Sequence, residues 1–310
     1  MGKEPARPEW RADVVVDEGL VRRLLAEQFA DLRALTVVPF AEGWDNALWL
    51  VNDEHAFRFP RRGIAVAGVE REIRLLPGLS GRLPLPIPTP TYVGRPSDAF
   101  PWPFFGAPLL AGSEPARVSI RESRSALGAG LGAFLRALHA PPLAADHGEE
   151  LPFDPMGRAD MAVRLPRTRD RLGALREAGL WTAPPEAERL LTAAGRLGRA
   201  DGFALTHGDL HVRHLLIDGG GVPCAVIDWG DVCLGDPSID LSLYWSLLDA
   251  TGRASFRDAY GDASLTEERL LRARVLALFL NAALAHYAAD TGDRALLDET
   301  LAGLQRTLID

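Results

Sequence analysis

The sequence predicts an α+β protein in two parts, a strand-rich first third followed by a mostly helical remainder. Short apolar runs, divided by turn residues, crowd the stretch before residue 110. From Ser119 onward apolar residues recur instead at helical spacing. The chain also has 310 residues, more than one ordinary core organises, so residues 1–110 and 111–310 are read as separate units.

In chain order, Leu20, Leu24, Leu25, Leu32 and Leu35 keep to one side of a helix expected over Asp17–Leu35. Thr36–Phe40, Ala47–Val51 and Ala56–Phe59 read as strands, with Asn52, Asp53 and Glu54 turning the chain between the last two. Val69, Ile73 and Leu76 predict a helix over Val69–Leu79. Pro84, Pro86, Pro88 and Pro90 forbid helix and prescribe an extended path. Thr91–Gly94 and Phe104–Leu110 supply two more strands, and Ala111-Gly112-Ser113 ends this part. Beyond it, Leu127, Leu131, Phe134, Leu135 and Leu138 form the stripe of a long helix, followed by weaker helical patterns over Asp160–Ala178 and Glu186–Arg199. Strands return at Phe203–Thr206, Leu215–Asp218 and Ala225–Asp228. Asp236-Pro237 starts another helix, with Asp as N-cap and Pro at the first helical position. Helices over Glu267–Ala289 and Ala295–Leu308 close the chain.

Composition narrows the class of protein. Apolar residues make up 47% and charged residues 25%, the balance of a globular chain. No run approaches the ~20 continuous apolar residues of a membrane span, so no membrane association is expected. Met1–Asp13 is polar and lacks the apolar centre of a signal peptide, which makes the cytoplasm the expected location. The two cysteines, Cys224 and Cys233, are too few for a disulfide scaffold and read as reduced core residues. A net charge of −8 without any Lys/Arg-rich run argues against a nucleic-acid partner. A monomer is the neutral expectation for assembly.

The most informative stretch runs from Thr206-His207-Gly208-Asp209 through His211 and His214 to Asp218, then Ala225-Val226-Ile227-Asp228-Trp229-Gly230-Asp231. One strand ends in a loop exposing Asp209, and an apolar strand ends at Asp228. An acid at the end of a buried strand is held by its neighbours and aimed at the facing loop. Two such acids with His214 between them supply one base and two metal ligands. Phosphoryl transfer needs that set, because its catalysis is mostly positioning and charge neutralisation by Mg²⁺.

Here the chain resembles the aminoglycoside/macrolide phosphotransferase family, antibiotic kinases distantly akin to protein kinases. The blocks His207-Gly208-Asp209…His214, Ile227-Asp228-Trp229 and Gly235-Asp236-Pro237-Ser238-Ile239-Asp240-Leu241 follow the family's HGDxxxxN, IDW and GDPxxDL signature in order. The resemblance implies a bilobal protein-kinase-like fold, with a small antiparallel-sheet N-terminal lobe that binds nucleotide. The larger, mostly helical lobe would carry catalysis and acceptor binding. It further implies transfer of the γ-phosphate of ATP or GTP, with Mg²⁺, onto a hydroxyl of an antibiotic such as an aminoglycoside or macrolide. Asp209 would orient that hydroxyl and take its proton, and Asp228 would bind metal. The family's usual Asn is replaced by His214, which can still ligate a divalent ion although Mg²⁺ prefers oxygen.

Upstream, Gly43 and Asn46 lie in the first strand-to-strand turn, and Arg58 and Glu72 follow in the order a kinase uses them. The resemblance makes Arg58 the cation for the α/β-phosphates and Glu72 its anchor, with Arg in place of the common Lys. Other residues have blander readings. His207 is expected to brace its loop, Asp236 to cap, Asp240 to tie down the catalytic loop, and His139 to pack or cap. Asp231 faces either a cationic substrate or solvent, and Trp44 and Trp102 either line a nucleotide site or pack. Three competing functions share parts of this pattern. A metabolic kinase for a sugar, choline-like alcohol or amino-acid hydroxyl would carry the same blocks. A nucleotide-binding pseudokinase would normally lack one of the two acids. A metal hydrolase built on His207, His211, His214 and Asp228 would leave Arg58 and Glu72 unexplained.

Overall fold

A computed structural model describes residues 12–33, 36–43, 45–120, 124–148 and 151–309. Leu35 and Trp44, and the chain before Ala12, lie outside the described residues. The chain divides into two compact units: the first runs to Ser80 and takes in Ile87–Leu110, and the second comprises Gly81–Pro86 and the chain from Ala111.

The first unit contains α1 (Glu18–Gln28), β1 (Val37–Glu42), β2 (Asn46–Val51), β3 (His55–Pro60), α2 (Gly63–Leu79), β4 (Tyr92–Gly94) and β5 (Phe104–Pro108). Its five strands form an antiparallel sheet in the order β1-β2-β3-β5-β4. Strand period decides what each face carries. Phe57 and Phe59 point into a buried cluster with Leu24 and Leu25 of α1, Trp49, Phe100 and Phe104. Arg58, between them, lies opposite Phe105 of β5, and Phe105 packs on Val69 of α2. Trp102 packs against the first of these clusters. Asp17 caps α1 by accepting from the Leu20 N–H at 2.8 Å. That helix stops at Gln28, short of the expected Leu35, where Phe29 leaves the helical path and packs against Tyr92 and Phe104. α2 starts at Gly63, six residues before the apolar period, because Asp13 accepts from the Gly63 N–H and opens its first turn.

The second unit contains α3 (Ser125–Leu138), α4 (Pro141–His147), α5 (Met161–Glu177), α6 (Pro185–Ala194), β6 (Ala204–Thr206), β7 (Leu215–Ile217), β8 (Pro223–Val226), β9 (Cys233–Gly235), α7 (Ser242–Ser246), α8 (Ala250–Tyr260), α9 (Glu267–Thr291) and α10 (Arg294–Leu308). β6 pairs with β9 and β7 with β8, both antiparallel. β9 has no signature in the sequence, because three residues between a turn and a cap leave no visible period. Asp236 does accept from the Ser238 N–H, but it opens a single 3₁₀ turn over Pro237–Ile239 before α7. α9 is the spine: Val275, Leu278, Ala282 and Ala285 pack against Leu172 and Leu175 of α5, Leu191 of α6 and Leu304 of α10. It is long and apolar enough to cross a membrane, but it is mostly buried inside the unit, as the core helix of a globular domain is. Of the cysteines, Cys233 is buried and Cys224 only half-buried; both are free thiols.

α3 and α8 cross at close range through two small residues. A Cβ on Gly128 would run into the backbone of Gly252, and one on Gly132 would stand 2.7 Å from the Phe256 carbonyl oxygen. Gly128→Ala is therefore expected to destabilise the protein by about 2 kcal/mol in denaturant unfolding, because backbone cannot yield as a flexible side chain would. Gly173→Ala in α5, where nothing lies within 4 Å of the added methyl, should instead be neutral or stabilising by up to ~1 kcal/mol.

Candidate active site

The two small sheets bring the sequence blocks to one place. β6 ends at Thr206 and delivers His207-Gly208-Asp209; β8 ends at Val226 and delivers Ile227-Asp228, so the acid follows the strand by two residues. The β7–β8 hairpin ties the blocks together where the Ile227 N–H donates to the His214 carbonyl at 2.9 Å. Gly208 has φ +89°, and a side chain there would collide with the Asp231 backbone. Only glycine fits a position with both demands.

Asp240 fixes the His207-Gly208-Asp209 loop. Its buried carboxylate accepts from the backbone N–H groups of His207 and Gly208 at 2.7 and 3.0 Å. His139 donates to the same carboxylate at 3.1 Å and is itself met by the Tyr260 hydroxyl at 2.9 Å. His207 is spent on structure: its Nε2–H donates to the Ile227 carbonyl and its Nδ1 accepts from the Asp209 N–H. Burial, foremost, pushes its pKa down, so it stays neutral. With both ring nitrogens engaged, His207 has no lone pair for a metal, and a centre using all three loop histidines is not formed. Trp229 is fully buried under His207 and Phe134, its Nε1–H donating to the Val226 carbonyl.

Asp209, His214 and Asp228 converge. The His214 Nδ1 lies 2.8 Å from the Asp209 carbonyl, which can only accept, so Nδ1 carries the proton. Nε2 is thereby turned to the Asp228 carboxylate, 3.3 Å away. Asp228 adopts φ +64°, an uncommon conformation for a side-chain-bearing residue that recurs at functional sites. Burial would lower the His214 pKa, but Asp228 and then Asp209 outweigh it and the pKa is raised. Positive charge is thus favoured between Nε2 and Asp228, which suits a metal-binding pair.

His211 stacks on His214 with ring centroids 3.8 Å apart. Its Nδ1 accepts from the Arg213 N–H, leaving Nε2–H 3.7 Å from the Asp209 carboxylate. Burial and the charge of His214 hold its pKa down to about 3, so it is uncharged at neutral pH. Asp209, His211 and His214 also place one ligand atom each within 4.8 Å of one another. Burial would raise the Asp209 pKa, yet cationic neighbours lower it to about 2. Since His211 is neutral above about pH 3, the permanent cation that does so at neutral pH is Arg158.

Arg158 and Asp231 complete the centre, and the motifs do not point to Arg158. Its Nη2 donates to Asp209 Oδ1 at 3.0 Å and to Asp231 Oδ2 at 2.7 Å. Asp231 is thus committed to an internal cation, although about half its side chain is exposed.

In the first unit, the Arg58 guanidinium meets the Glu72 carboxylate at 3.3 Å, with Glu72 fully buried on α2. The Gly43 N–H donates to the Asn46 carbonyl at 2.9 Å, closing the β1–β2 turn, and Arg61 donates to the Gly43 carbonyl. Asn46 Oδ1 is buried with no hydrogen-bond partner among the described residues.

Residues 36–276 match the phosphotransferase enzyme family, called APH. The chain belongs to that family. As a member it is a kinase-type phosphotransferase, and among solved structures it shares the fold of several. It is similar to the GDP complex of aminoglycoside 2'-phosphotransferase-IIIa, at 22% identity and TM-score 0.68, covering 94% of this chain and 99% of that one. It is similar also to the macrolide 2'-phosphotransferase MphH from Brachybacterium faecium, at 24% identity and TM-score 0.59 over 93% and 98% of the two chains. Both identities are low enough that the likeness speaks to fold. A stretch of 63 residues is 36% identical to the uncharacterized protein YcbJ of Bacillus subtilis (strain 168), spanning 20% of this chain and 21% of that protein. The protein-kinase-like fold of this phosphotransferase is therefore that of its family, with an antiparallel sheet first and helices after.

Asp240→Ala would strand two buried N–H groups and remove the partner of His139. It is expected to cost about 3 kcal/mol in urea unfolding. A loss under ~1 kcal/mol would mean that the loop does not depend on this carboxylate.

Proposed function

We propose that this phosphotransferase moves the γ-phosphoryl group of ATP or GTP onto a hydroxyl of an antibiotic of the aminoglycoside or macrolide kind. The observation that carries the reading is the Asp209 carboxylate. Oδ1 is taken by Arg158, while the His211 and His214 contacts to Oδ2, at 3.7 and 4.0 Å, are beyond hydrogen-bond length. Oδ2 is thus the oxygen left to accept from an incoming hydroxyl. The related structures include a GDP complex, a streptomycin–ATP ternary complex and a macrolide kinase, which supports the donor and acceptor classes.

Asp209 orients the acceptor hydroxyl along the line to phosphorus. Held near pKa 2, its carboxylate is a weak base. It takes the proton late, once the new O–P bond has drawn charge from the hydroxyl and the bond to the β-phosphate oxygen is breaking. Asp228 and His214 Nε2 fit a divalent cation, since with the His214 proton on Nδ1 the Nε2 lone pair faces the Asp228 carboxylate at 3.3 Å. When bound, Mg²⁺ would neutralise charge on the phosphate oxygens. Within the first unit, Arg58, anchored by Glu72, is the cation for the α/β-phosphates of a nucleotide.

The test is direct: purified protein with Mg²⁺, ATP or GTP and a panel of aminoglycosides, macrolides, sugars and choline-like alcohols, read by mass of the phosphate ester. An antibiotic ester supports the proposal; an ester of a sugar or choline-like alcohol alone would move the chain to a metabolic kinase. Asp209→Asn should cut turnover about 10²- to 10³-fold and leave nucleotide affinity within a few-fold. His214→Asn exchanges nitrogen for the oxygen Mg²⁺ prefers. The ratio of activity with Mn²⁺ to activity with Mg²⁺ should therefore fall in that variant.

A further inference from the structure

Arg158 lies in none of the sequence blocks, yet the turn that carries it is held by several polar contacts. It sits in a tight turn between α4 and α5. Asp154 shapes that turn: it adopts φ +30°, and its carboxylate accepts from the Arg158 and Ala159 N–H groups at 2.7 and 2.9 Å. The Asp154 N–H donates in turn to the Leu234 carbonyl, which anchors the turn to β9, the partner of β6. Arg164 of α5 donates to the Met156 and Gly157 carbonyls at 2.7 and 3.2 Å. Arg272 of α9 donates to the Ala159 carbonyl at 3.2 Å. The turn is therefore tied to a sheet and to two helices.

What this support presents is one nitrogen, Nη2, shared by Asp209 Oδ1 and Asp231 Oδ2. The side chain is only 9% exposed, so the contact is little weakened by solvent. A carboxylate can rotate about its last bond, and Asp209 has no other side-chain hydrogen bond of normal length among the described residues. Arg158 stops that rotation by holding Oδ1, and Asp231 prevents the guanidinium from following Asp209.

We propose that Arg158 is a positioning residue for phosphoryl transfer: it pins Asp209 through Oδ1 so that Oδ2 faces the acceptor hydroxyl. The inference rests on the assignment of Asp209 above and extends it to a residue 51 positions upstream. Arg158 touches no reacting atom and acts through Asp209 alone.

A double-mutant cycle tests it in the full-length protein. The readout is steady-state release of phosphate from ATP or GTP with Mg²⁺, water taking the place of the acceptor, so the antibiotic need not be known. Arg158→Met should lower kcat about 100-fold with the nucleotide KM within about threefold, because misplacing one group by an ångström costs that much. On an Asp209→Asn background the same change should cost less than about threefold, since there is no carboxylate left to position. Arg158→Lys, which keeps the charge but not the planar guanidinium, should fall between, about tenfold down, and serves if the Met variant does not fold. A folded Arg158→Met or Arg158→Lys variant with kcat within threefold of the parent would overturn the proposal. So would an undiminished loss on the Asp209→Asn background, which would mark Arg158 as acting independently. An Asp209→Asn protein as active as the parent would overturn the Asp209 assignment itself, and this proposal with it.

Discussion

One imidazole holds the candidate site together. The proton of His214 goes to the Asp209 carbonyl, and that single bond decides that Nε2 faces Asp228. Asp209 and Asp228 come from different loops, and this ring reaches both. The hairpin bond from Ile227 N–H to the His214 carbonyl closes the same connection through the backbone.

Behind the ring, buried polar groups do what an apolar core could not. An apolar contact resists separation but tolerates sliding, whereas a carboxylate with two N–H donors fixes both distance and direction. Asp240 applies that to His207 and Gly208, Trp229 plugs the space beneath, and Arg158 repeats it for Asp209. Each is buried, so each leaves an unsatisfied partner if removed, and each constrains the site more than it stabilises the fold. The charges also oppose one another in a useful way. Arg158 draws Asp209 toward full ionisation, which favours orientation of a hydroxyl over early removal of its proton.

The family's motif blocks were legible in the sequence because they are local: His207-Gly208-Asp209, Ile227-Asp228-Trp229 and Asp236…Asp240 each combine a strand end or cap with a residue type that little else explains. The strand-rich opening and the helical remainder were legible for the same reason, through period and turn residues. Element ends were less so. The apolar spacing of Leu20–Leu32 continues past Gln28, but Phe29 is drawn off by ring contacts with residues over sixty positions away. α2 begins before its apolar stripe because its first turn is opened by a carboxylate from another segment. Arg158 shows the limit most clearly. It is one arginine among several near α5, and only the fold brings it to Asp209; no local pattern separates it from Arg167 or Arg171. Asp231, open between a substrate and a solvent role in the sequence, is decided by the same contact.

In the proposed function, Asp228 and His214 hold the cation while Asp209 is left to meet the acceptor. A crystal structure grown with Mn²⁺ and a non-hydrolysable ATP or GTP analogue, with data at the manganese absorption edge, tests it without any turnover. The account predicts anomalous density bonded to an Asp228 oxygen and to His214 Nε2, with Asp209 Oδ1 still on Arg158. Density seated instead on Asp209 and His211, with Asp228 turned away, would contradict it.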